Sequence, residues 1–340
     1  MIDRLLEKNL IPDFLIRQRI RKLNQIRIKS ETIKHQAGAK DRLIEELITL
    51  PVAIETQAAN DQHYEVPPDF FQMCLGKHLK YSCCYWPEGT KSLDEAEAHM
   101  LKLTCERAEL KDGQDILELG CGWGAISLWM AENYPNSKII SVSNSQDQRK
   151  FIMNLANKRG LKNIEVKTCD MNSFEIDKKF DRIVSVEMFE HMKNYQELLG
   201  RIDSWLKPNG RLFVHIFSHK KFAYHFETEG SSNWMGRHFF TGGIMPSHDL
   251  LNYFNQNLVI DNEWIVNGIH YHKTAEAWLK NMQKNEKQIK SIFSKTYGNN
   301  QTTKWWSYWR IFFMACSELW KTSGGNEWIV SHYTMKRKNE

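Results

Sequence analysis

The chain has 340 residues and 41% of them are hydrophobic, which is enough for one large domain with additions or for two domains. Its formal net charge of +5 is unevenly distributed, because residues 1–40 contain ten Lys and Arg but only four Asp and Glu. The remainder is close to neutral, so the pattern excludes a nucleic-acid binder that is basic throughout.

Seven cysteines occur, and none of them belongs to a C-x-x-C pair. Cys83 and Cys84 are adjacent and cannot form an ordinary structural disulfide. An odd number of cysteines without a pairing pattern predicts free thiols and a reducing, cytoplasmic location. No zinc-ligand spacing appears, so no metal is expected. No apolar run suits a signal peptide or a membrane-spanning helix.

Residues 1–58 predict a helical extension, since Leu and Ile recur at intervals of three and four residues. Segment 14–23 within it is basic and amphipathic. This segment could make a weak contact with a membrane surface or an acidic partner, or it could pack on the rest of the protein by its apolar face. Packing is favoured, because the extension also carries several acids.

Strands and helices alternate beyond this extension. Segment 92–110 predicts a helix that begins with a capping box of Ser92 and Glu95. Candidate strands follow at 115–119, 138–142, 164–168, 181–186 and 211–217, with helices at 124–133, 146–158 and 194–206. The alternation predicts an α/β fold with a parallel sheet and helices on both faces.

Two segments interrupt the alternation and are expected to cover a substrate. Residues 218–250 are aromatic and rich in His, and residues 275–320 are helical. A last strand is predicted at 327–335. Candidate aromatic walls for a ligand pocket are Trp234, Phe239, Phe240, Tyr224 and Trp305, although aromatic residues in such segments more often form plain core.

The glycine-rich segment 115–124, D-I-L-E-L-G-C-G-W-G, runs from a strand into a turn before a helix. Glycine permits a tight turn and lets the backbone approach a ligand closely. The G-x-G-x-G spacing of Gly120, Gly122 and Gly124 differs from the dinucleotide fingerprint, and the Lys-Ser/Thr of a P-loop is missing. The segment resembles the cofactor turn of S-adenosylmethionine-dependent methyltransferases.

The ends of the next two strands carry polar side chains, and ligands of parallel sheets bind at such ends. After the second strand, Ser143 and Asn144 could bind ribose hydroxyls, while Ser145 could equally cap the following helix. After the third strand, Asp170 and Met171 suit an adenine ring, although Asp170 could instead cap the next turn.

The fourth strand ends in V-E-M-F-E-H-M, which places Glu187, Glu190 and His191 within five residues. If the backbone turns helical there, these side chains share one face at i, i+3 and i+4. Such a group can bind an ammonium substrate and accept its proton. A hydrogen-bonded core network is the structural alternative, and metal binding is weaker because no further ligand is spaced nearby. His215, near the end of the fifth strand, is more often structural.

With these residues assembled, the chain resembles the cyclopropane-fatty-acid synthase superfamily of S-adenosylmethionine-dependent methyltransferases. The matching motifs are H-Y-E-V-P-P-D-F-F (63–71), Y-S-C-C-Y-W (81–86), E-L-G-C-G-W-G (118–124), F-D-R-I-V-S-V-E-M-F-E-H (180–191) and N-G-I-H-Y (267–271). Its closest likeness is to the coclaurine N-methyltransferase type, through segments 187–195, 219–227, 239–247 and 270–282. The resemblance implies a class I, Rossmann-like methyltransferase domain over 59–340.

The resemblance also implies roles for the residues. Tyr81 and Ser82 would cover the cofactor, S-adenosylmethionine, which leaves as S-adenosylhomocysteine. Glu187, Glu190 and His191 would line the pocket of the methyl acceptor. The remaining cofactor contacts would come from Gly120, Gly122, Ser143, Asn144, Gln148, Asp170, Met171 and Val186.

Lipid-modifying members of the superfamily bind bicarbonate as a base through a Cys, a Glu, a His and a Tyr. Cys83, Glu190, His215 and Tyr271 match those positions, and Cys316 matches another Cys of that branch, so these residues do not separate the two branches. Glu187 and the 219–247 insertion do separate them. Lipid-modifying members usually carry Gly at position 187, while the N-methyltransferases carry Glu.

Three functions follow as alternatives. The first is N-methylation of a small, cyclic or aromatic, benzylisoquinoline-like amine, with Glu and His assisting its deprotonation before in-line transfer. The second is a lipid methyl or methylene transferase that uses bicarbonate and docks on membranes through its basic N-terminal helices. The third is a cofactor-binding module without catalytic activity. A homodimer is a further expectation.

Overall fold

A seven-stranded sheet lies at the centre of the protein, whose computed structural model describes residues 2–54, 66–230 and 233–339. Its strands are β1 (Asp115–Leu119), β2 (Lys138–Ser143), β3 (Ile164–Thr168), β4 (Phe180–Val186), β5 (Leu206–His219), β8 (Leu258–Val266) and β9 (Trp328–Arg337). Their order is β3-β2-β1-β4-β5-β9-β8. The first five strands are parallel and β9 runs antiparallel between β5 and β8. This mixed sheet confirms the predicted α/β class.

The described helices are α1 (Ile2–Glu7), α2 (Asp13–Gln36), α3 (Ala39–Leu47), α4 (Pro68–Cys74), α5 (Leu93–Arg107), α6 (Ala125–Asn133), α7 (Gln146–Lys158), α8 (Tyr195–Trp205), α9 (Trp234–His238), α10 (Ile269–Lys284), α11 (Glu286–Tyr297) and α12 (Thr302–Trp320). Short 3₁₀ segments cover Phe189–His191, Leu250–Phe254 and Thr322–Gly325, and the short strands β6 (Tyr224–His225) and β7 (Ile244–Met245) pair with each other.

Hydrophobic cores lie on both faces of the sheet. Successive residues of a strand point to opposite faces, so Ile116 of β1 joins the core that contains Ile126 and Ile152 of α6 and α7. Leu117 joins the core that contains Leu198 of α8. Strands buried on both faces explain the continuous apolar runs in the sequence.

The predicted capping box at the start of α5 is present. The Ser92 hydroxyl accepts a hydrogen bond from the Glu95 amide at 3.2 Å. The Glu95 carboxylate in turn accepts from the Lys91 amide at 2.8 Å, one residue before the expected partner. These bonds satisfy amides that the first turn of a helix leaves without a partner.

The N-terminal helices pack on the C-terminal helices rather than standing free. Arg17 of α2 pairs with Glu276 at 2.6 Å and with Glu318 of α12 at 3.0 Å. Asn24 donates to the Glu318 carbonyl at 3.2 Å. The inner face of α2 therefore packs on the C-terminal helices, as the sequence analysis favoured. The predicted boundary at 58/59 and the start of the 63–71 motif lie outside the described residues.

The sequence did not predict β8, and it predicted β5 too short. The centre of β8 reads D-N-E, and its register with β9 shifts between Ile260 and Asn262. These acids and amides disfavour a strand by composition, but the strand lies at the edge of the sheet, where they reach water.

Across the described ranges, no helix is both long enough and apolar enough to cross a membrane. All seven cysteines are free thiols. The cytoplasmic location stays a prediction.

Candidate active site

The glycine turn after β1 adopts a backbone that side chains rarely allow. Gly120 has a φ of 83° and Gly122 a φ of 49°. A Cβ atom on Gly120 would lie 2.7 Å from the Met188 side chain, whereas one on Gly122 would meet nothing within 4 Å. The turn therefore packs tightly on one side and leaves open space on the other, where a ligand can approach the backbone.

One cavity opens at the carboxyl ends of β1, β2 and β4. The structure brings together there all ten side chains or backbone segments predicted to contact a cofactor: Tyr81, Ser82, Gly120, Gly122, Ser143, Asn144, Gln148, Asp170, Met171 and Val186. We call this space the cofactor cavity. Its place agrees with the rule that parallel sheets bind ligands at their carboxyl edge.

Several buried polar atoms of the cofactor cavity have no partner among the residues that the structure describes. The Ser143 hydroxyl donates to the Gln148 side-chain carbonyl at 2.6 Å, which leaves the Gln148 Nε2 group buried without a partner. Thr104 Oγ1 and Trp123 Nε1 are also buried and have no hydrogen-bond partner among the described residues. Buried polar groups are normally hydrogen-bonded, so these atoms fit a ligand with hydroxyl and carboxylate oxygens, such as S-adenosylmethionine.

After β2 and after β3, a polar side chain can cap the following turn while the strand end still lines the cofactor cavity. Ser145 caps α7, since its hydroxyl accepts from the Gln148 amide at 3.3 Å, and Ser143 beside it still lines the cavity. Asp170 accepts from the Asn172 amide at 2.7 Å and also lines the cavity with Met171. Capping therefore does not remove either position from the ligand.

A second cavity adjoins the first and shares Tyr81, Glu187 and His191 with it. We call it the acceptor cavity. Its other walls are Glu190, Phe217, Phe226, Met235, Phe240, Met245, Tyr271, Trp278, Phe312, Cys316, Leu319 and Trp320. The shared residues lie where the two cavities meet.

Glu187 reaches this junction through an unusual backbone conformation. Its φ is 47°, and the chain then forms a 3₁₀ turn over Phe189–His191. The conditional expectation of one helix from 187 to 191 is therefore wrong. A left-handed residue at the end of β4, followed by a tight turn, brings the two glutamates and His191 to the same cavity instead.

The Glu187 carboxylate is held by three donors from other parts of the chain. Oε1 accepts from the Cys83 amide at 2.9 Å and lies 3.2 Å from His215 Nε2. Oε2 accepts from the Tyr271 hydroxyl at 2.7 Å. Burial raises the pKa of Glu187, while these donors and the charge of Lys80 favour its ionised form.

Glu190 differs from Glu187 although both are buried. Its Oε2 atom has no hydrogen-bond partner in the described part of the chain. Burial, and then the charge of Glu187, raise the pKa of Glu190 well above its ordinary value. Because the donors and Lys80 oppose the effect of burial at Glu187, while the charge of Glu187 raises the pKa of Glu190 further, Glu190 is the more readily protonated carboxyl of the pair. The ring of His191 stacks on Phe240, with centroids 4.8 Å apart.

Three of the four residues predicted to bind bicarbonate meet at a single point, and Glu190 is not among them. Cys83 contributes its amide, while His215 and Tyr271 contribute side chains, and all three contact the Glu187 carboxylate. Burial lowers the pKa of His215 well below its ordinary range, so this imidazole is neutral. Cys316 lies in the wall of the acceptor cavity together with Glu187 and Tyr271, and burial raises the pKa of its thiol.

Sequence reasoning missed several wall residues and one buried cation. Of the five predicted aromatic walls, only Phe240 lines the acceptor cavity. Phe239 instead packs on Phe312, with centroids 4.5 Å apart. Phe312 and Cys316 are four residues apart on α12, so helical spacing could have indicated them. Lys80, fully buried and bonded to Ser82, carried no signal in the sequence.

The sheet order, the glycine turn and the cofactor cavity together define a class I S-adenosylmethionine-dependent methyltransferase. The family model described as mycolic acid cyclopropane synthetase matches residues 53–324. The chain therefore belongs to this cyclopropane-fatty-acid synthase family, as its motifs predicted.

Among its relatives, two are (S)-coclaurine N-methyltransferases. The enzyme from Thalictrum flavum subsp. glaucum is 39% identical, over 98% of this chain and 94% of the relative. The enzyme from Papaver somniferum is 37% identical, over 98% and 97%. A crystal structure of coclaurine N-methyltransferase bound to N-methylheliamine and S-adenosylhomocysteine matches with a TM-score of 0.95 and 37% identity, covering 98% of both chains.

Proposed function

We propose that this protein transfers a methyl group from S-adenosylmethionine to the nitrogen of a small, cyclic or aromatic, benzylisoquinoline-like amine. The observation that carries the proposal is the place of Glu187 and His191 at the junction of the two cavities, with Glu190 in the wall of the acceptor cavity. The names of the relatives, which are N-methyltransferases of alkaloid amines, support it.

The junction suits a positively charged acceptor. An alkylammonium is protonated at neutral pH and has no lone pair, so it must lose a proton before it can react. The ionised Glu187 attracts the ammonium, and the unpartnered Oε2 of Glu190 is available to bind it. An approaching cation favours the ionised form of Glu190, which releases its own proton to solvent as the amine binds. A carboxylate whose pKa burial has raised is a stronger base, so Glu190 can then accept the amine proton.

The chain also orients the acceptor. S-adenosylmethionine, when bound, supplies an electrophilic methyl group on its sulfonium. Tyr81 and His191 line both cavities and so restrict the approach to the passage between them. Aromatic walls, including Trp278 and Phe312, bind the organic part of the amine and stabilise cationic nitrogen by cation–π contact. Orientation of this kind is the main catalytic task in a direct displacement.

A mass-spectrometric assay tests the proposal. Purified protein is incubated with S-adenosylmethionine and a panel of secondary and tertiary cyclic amines, with unsaturated phospholipid as the control substrate. We expect N-methylated amines and no methylated or cyclopropanated lipid. Glu187→Gln and His191→Ala should lose turnover and keep cofactor affinity. Normal turnover in both variants would contradict the assignment of these residues.

The place of the Glu187 carboxylate also weighs against the lipid alternative. A dissolved bicarbonate would need the donors that already bind Glu187, namely Cys83, His215 and Tyr271. The chain thus supplies its own carboxylate at the position where the lipid-modifying branch would bind an anion.

We also propose a weak contact between the outer face of α2 and anionic membranes. This face combines apolar and basic side chains at helical spacing, namely Leu15, Arg19, Lys22, Ile26, Lys29 and Ile33. Ile26 and Ile33 are 50% and 68% exposed. The exposed residues of α2 include no acid, so an anionic lipid surface complements the face better than a second copy of this chain.

A further inference from the structure

A row of ring side chains crosses the sheet from its edge towards Glu187. His215 of β5 pairs in register with Val186 of β4 on one side and with His332 of β9 on the other. His332 pairs in turn with Trp264 of β8. Directly opposed residues of antiparallel strands lie on the same face of a sheet, and the rings of His215 and His332 have centroids 4.5 Å apart. The row therefore connects the edge strand to the carboxylate that follows β4.

Arg107 determines which nitrogen of His332 carries the proton. Its guanidinium, at the end of α5, donates to His332 Nδ1 at 2.8 Å and lies over the Trp264 ring, 4.9 Å from the centroid. A guanidinium can only donate, so Nδ1 must be the acceptor. Burial, and then the neighbouring His215 and Arg107, lower the pKa of His332 well below its ordinary range. The neutral ring therefore carries its one proton on Nε2.

His215 presents the complementary nitrogen. Its Nε2 atom lies 3.2 Å from Glu187 Oε1, and a carboxylate oxygen only accepts, so the proton of His215 is on Nε2 and the lone pair is on Nδ1. His215 Nδ1 and His332 Nε2 are both buried and have no hydrogen-bond partner among the described residues. One atom lacks a donor and the other lacks an acceptor. A hydrogen bond between them, direct or through one water, satisfies both.

We propose that His332 is a positioning residue that keeps His215 neutral, with the Nε2–H group of His332 as the donor for the Nδ1 lone pair of His215. A proton added to Nδ1 would bring two N–H donors together, and Arg107 prevents His332 from moving its own proton to the other nitrogen. No imidazolium then cancels the charge of Glu187, which stays available to attract the ammonium substrate. This role in catalysis rests on the proposed N-methylation.

The row holds a proton in place and does not conduct one to the surface. A path outwards would have to pass Arg107, and a guanidinium does not give up its proton in a protein. Lys80 and Arg107 are cations that act on both rings, and Glu187 is an anion bonded to one of them. Both cations also oppose a charge on the imidazoles. A test of the hydrogen bond therefore has to leave these three side chains unchanged.

Two substitutions at His332 separate its hydrogen bond from its packing. His332→Met has no N–H group, whereas His332→Gln can accept from Arg107 through its oxygen and donate to His215 through its amide. We expect His332→Met to move the acid limb of kcat/KM for the amine to higher pH by about one pH unit, which is about a tenfold loss on that limb. The loss should come mainly from KM, because attraction of the cation is what is weakened.

His332→Gln should keep the acid limb of the unaltered protein. Affinity for S-adenosylhomocysteine shows that both variants are folded. If the acid limb of His332→Met coincides with that of the unaltered protein, or if both variants move it equally, the hydrogen bond does not act on His215 and the inference is wrong. N-methylation itself would be unaffected by that outcome.

Titration of His215 by NMR, on protein isotopically labelled at histidine, is a readout that needs no turnover. The signal of His215 is identified by its loss in His215→Gln. His215 should gain a proton at higher pH in His332→Met than in the unaltered protein or in His332→Gln. Identical titrations in all of them would overturn the inference. If the unaltered protein methylates no amine, the proposed function fails, while the titration of His215 still decides whether His332 keeps it neutral.

Discussion

Tyr271 orients the carboxylate of Glu187 from a different part of the fold. Its hydroxyl donates to Glu187 Oε2 at 2.7 Å, and its ring stacks on Trp320 with centroids 4.7 Å apart and planes 7° apart. The stacked ring limits the directions that the hydroxyl can take. The anion at the end of β4 is thus held by α10 and, through Trp320, by α12, the helix that forms much of the acceptor cavity wall.

Tyr271→Phe should shift the pH profile. The hydroxyl favours the ionised form of Glu187, so its removal raises the pKa of that carboxyl further. In the proposed reaction the anion attracts the ammonium, and the acid limb of kcat/KM should therefore move to higher pH. At neutral pH we expect a loss of about tenfold, the usual effect of one hydrogen bond to a charged group.

Tyr308→Phe is the control for this prediction. Tyr308 also bonds a carboxyl group through its hydroxyl, to Glu7 at 3.3 Å, but it lines neither cavity. The pH profile of kcat/KM for Tyr308→Phe should match that of the unaltered protein. If the Tyr271→Phe profile coincides with both, the Tyr271 hydroxyl does not influence the Glu187 carboxylate in catalysis.

Glu187→Gly should convert the position of the carboxylate into a site for a small dissolved anion. The φ of 47° suits glycine, and the donors of Cys83, His215 and Tyr271 remain. We expect the variant to lose amine methylation and to recover part of it with added formate or bicarbonate, measured as initial rate against anion concentration.

The unaltered protein provides the comparison, because its own carboxylate fills the site. Its rate should not change when bicarbonate is removed from the buffer. A requirement for bicarbonate in the unaltered protein would favour the lipid-modifying alternative. A folded Glu187→Gly variant that no small carboxylate rescues would show that the three donors do not form an independent anion site.

Gln148→Leu should weaken cofactor binding more than catalysis. It removes the buried Nε2 donor that has no partner within the protein. We expect the dissociation constant for S-adenosylhomocysteine, measured by calorimetry, to rise about tenfold, with kcat changed less. Asp147→Ala is the control on the same helix, since its side chain is 71% exposed and should leave the constant unchanged. Equal constants for Gln148→Leu and the unaltered protein would remove Gln148 from the cofactor site.

The elements that the sequence predicted best carry local signals at their ends. β1, β3 and α7 coincide with the predicted ranges, because β1 ends at a glycine turn and α7 begins at a Ser145 cap. The edge strand β8 was missed since its acids reach water at the sheet edge and need no alternating pattern.

Part of the candidate site could be predicted from local sequence, and part depends on contacts between distant segments. Residues at strand ends could be identified because a parallel sheet brings those ends to one edge. The contact from Tyr271 to Glu187 spans 84 residues, and no local pattern specifies it. The left-handed backbone at Glu187 was also beyond prediction, since a glutamate at positive φ is unusual and is maintained by its tertiary contacts.

The proposed membrane contact predicts binding to anionic vesicles. Phosphatidylcholine vesicles that contain phosphatidylserine should co-sediment the protein at low salt, and pure phosphatidylcholine should not. Lys22→Glu and Ile26→Ser should each reduce binding. Ile265→Ser, at a residue 59% exposed on β8, is the control. If the α2 variants instead abolish a dimer seen by light scattering, the face joins two copies of the chain and the membrane proposal is wrong.

Glu118 should make the folded state less stable as the pH rises towards neutral. Burial raises its pKa from 4.5 to about 7, although Ser127 and Ser141 both donate to its carboxyl. Between these two values the unfolded chain has released this proton while the folded protein retains it. The contribution to stability is therefore complete below the unfolded pKa and is lost as pH rises through the folded pKa.

Glu118→Gln removes this titration and can keep one oxygen at the place of Oε2, to which both serines donate. The decline in Tm between about pH 5 and pH 7 should therefore be shallower in the variant than in the unaltered protein, when both are measured without cofactor. Glu165→Gln, at a side chain 60% exposed on β3, should keep the original slope. Equal slopes for all three proteins would mean that Glu118 is ionised in the fold across this range, so that its serine partners outweigh its burial.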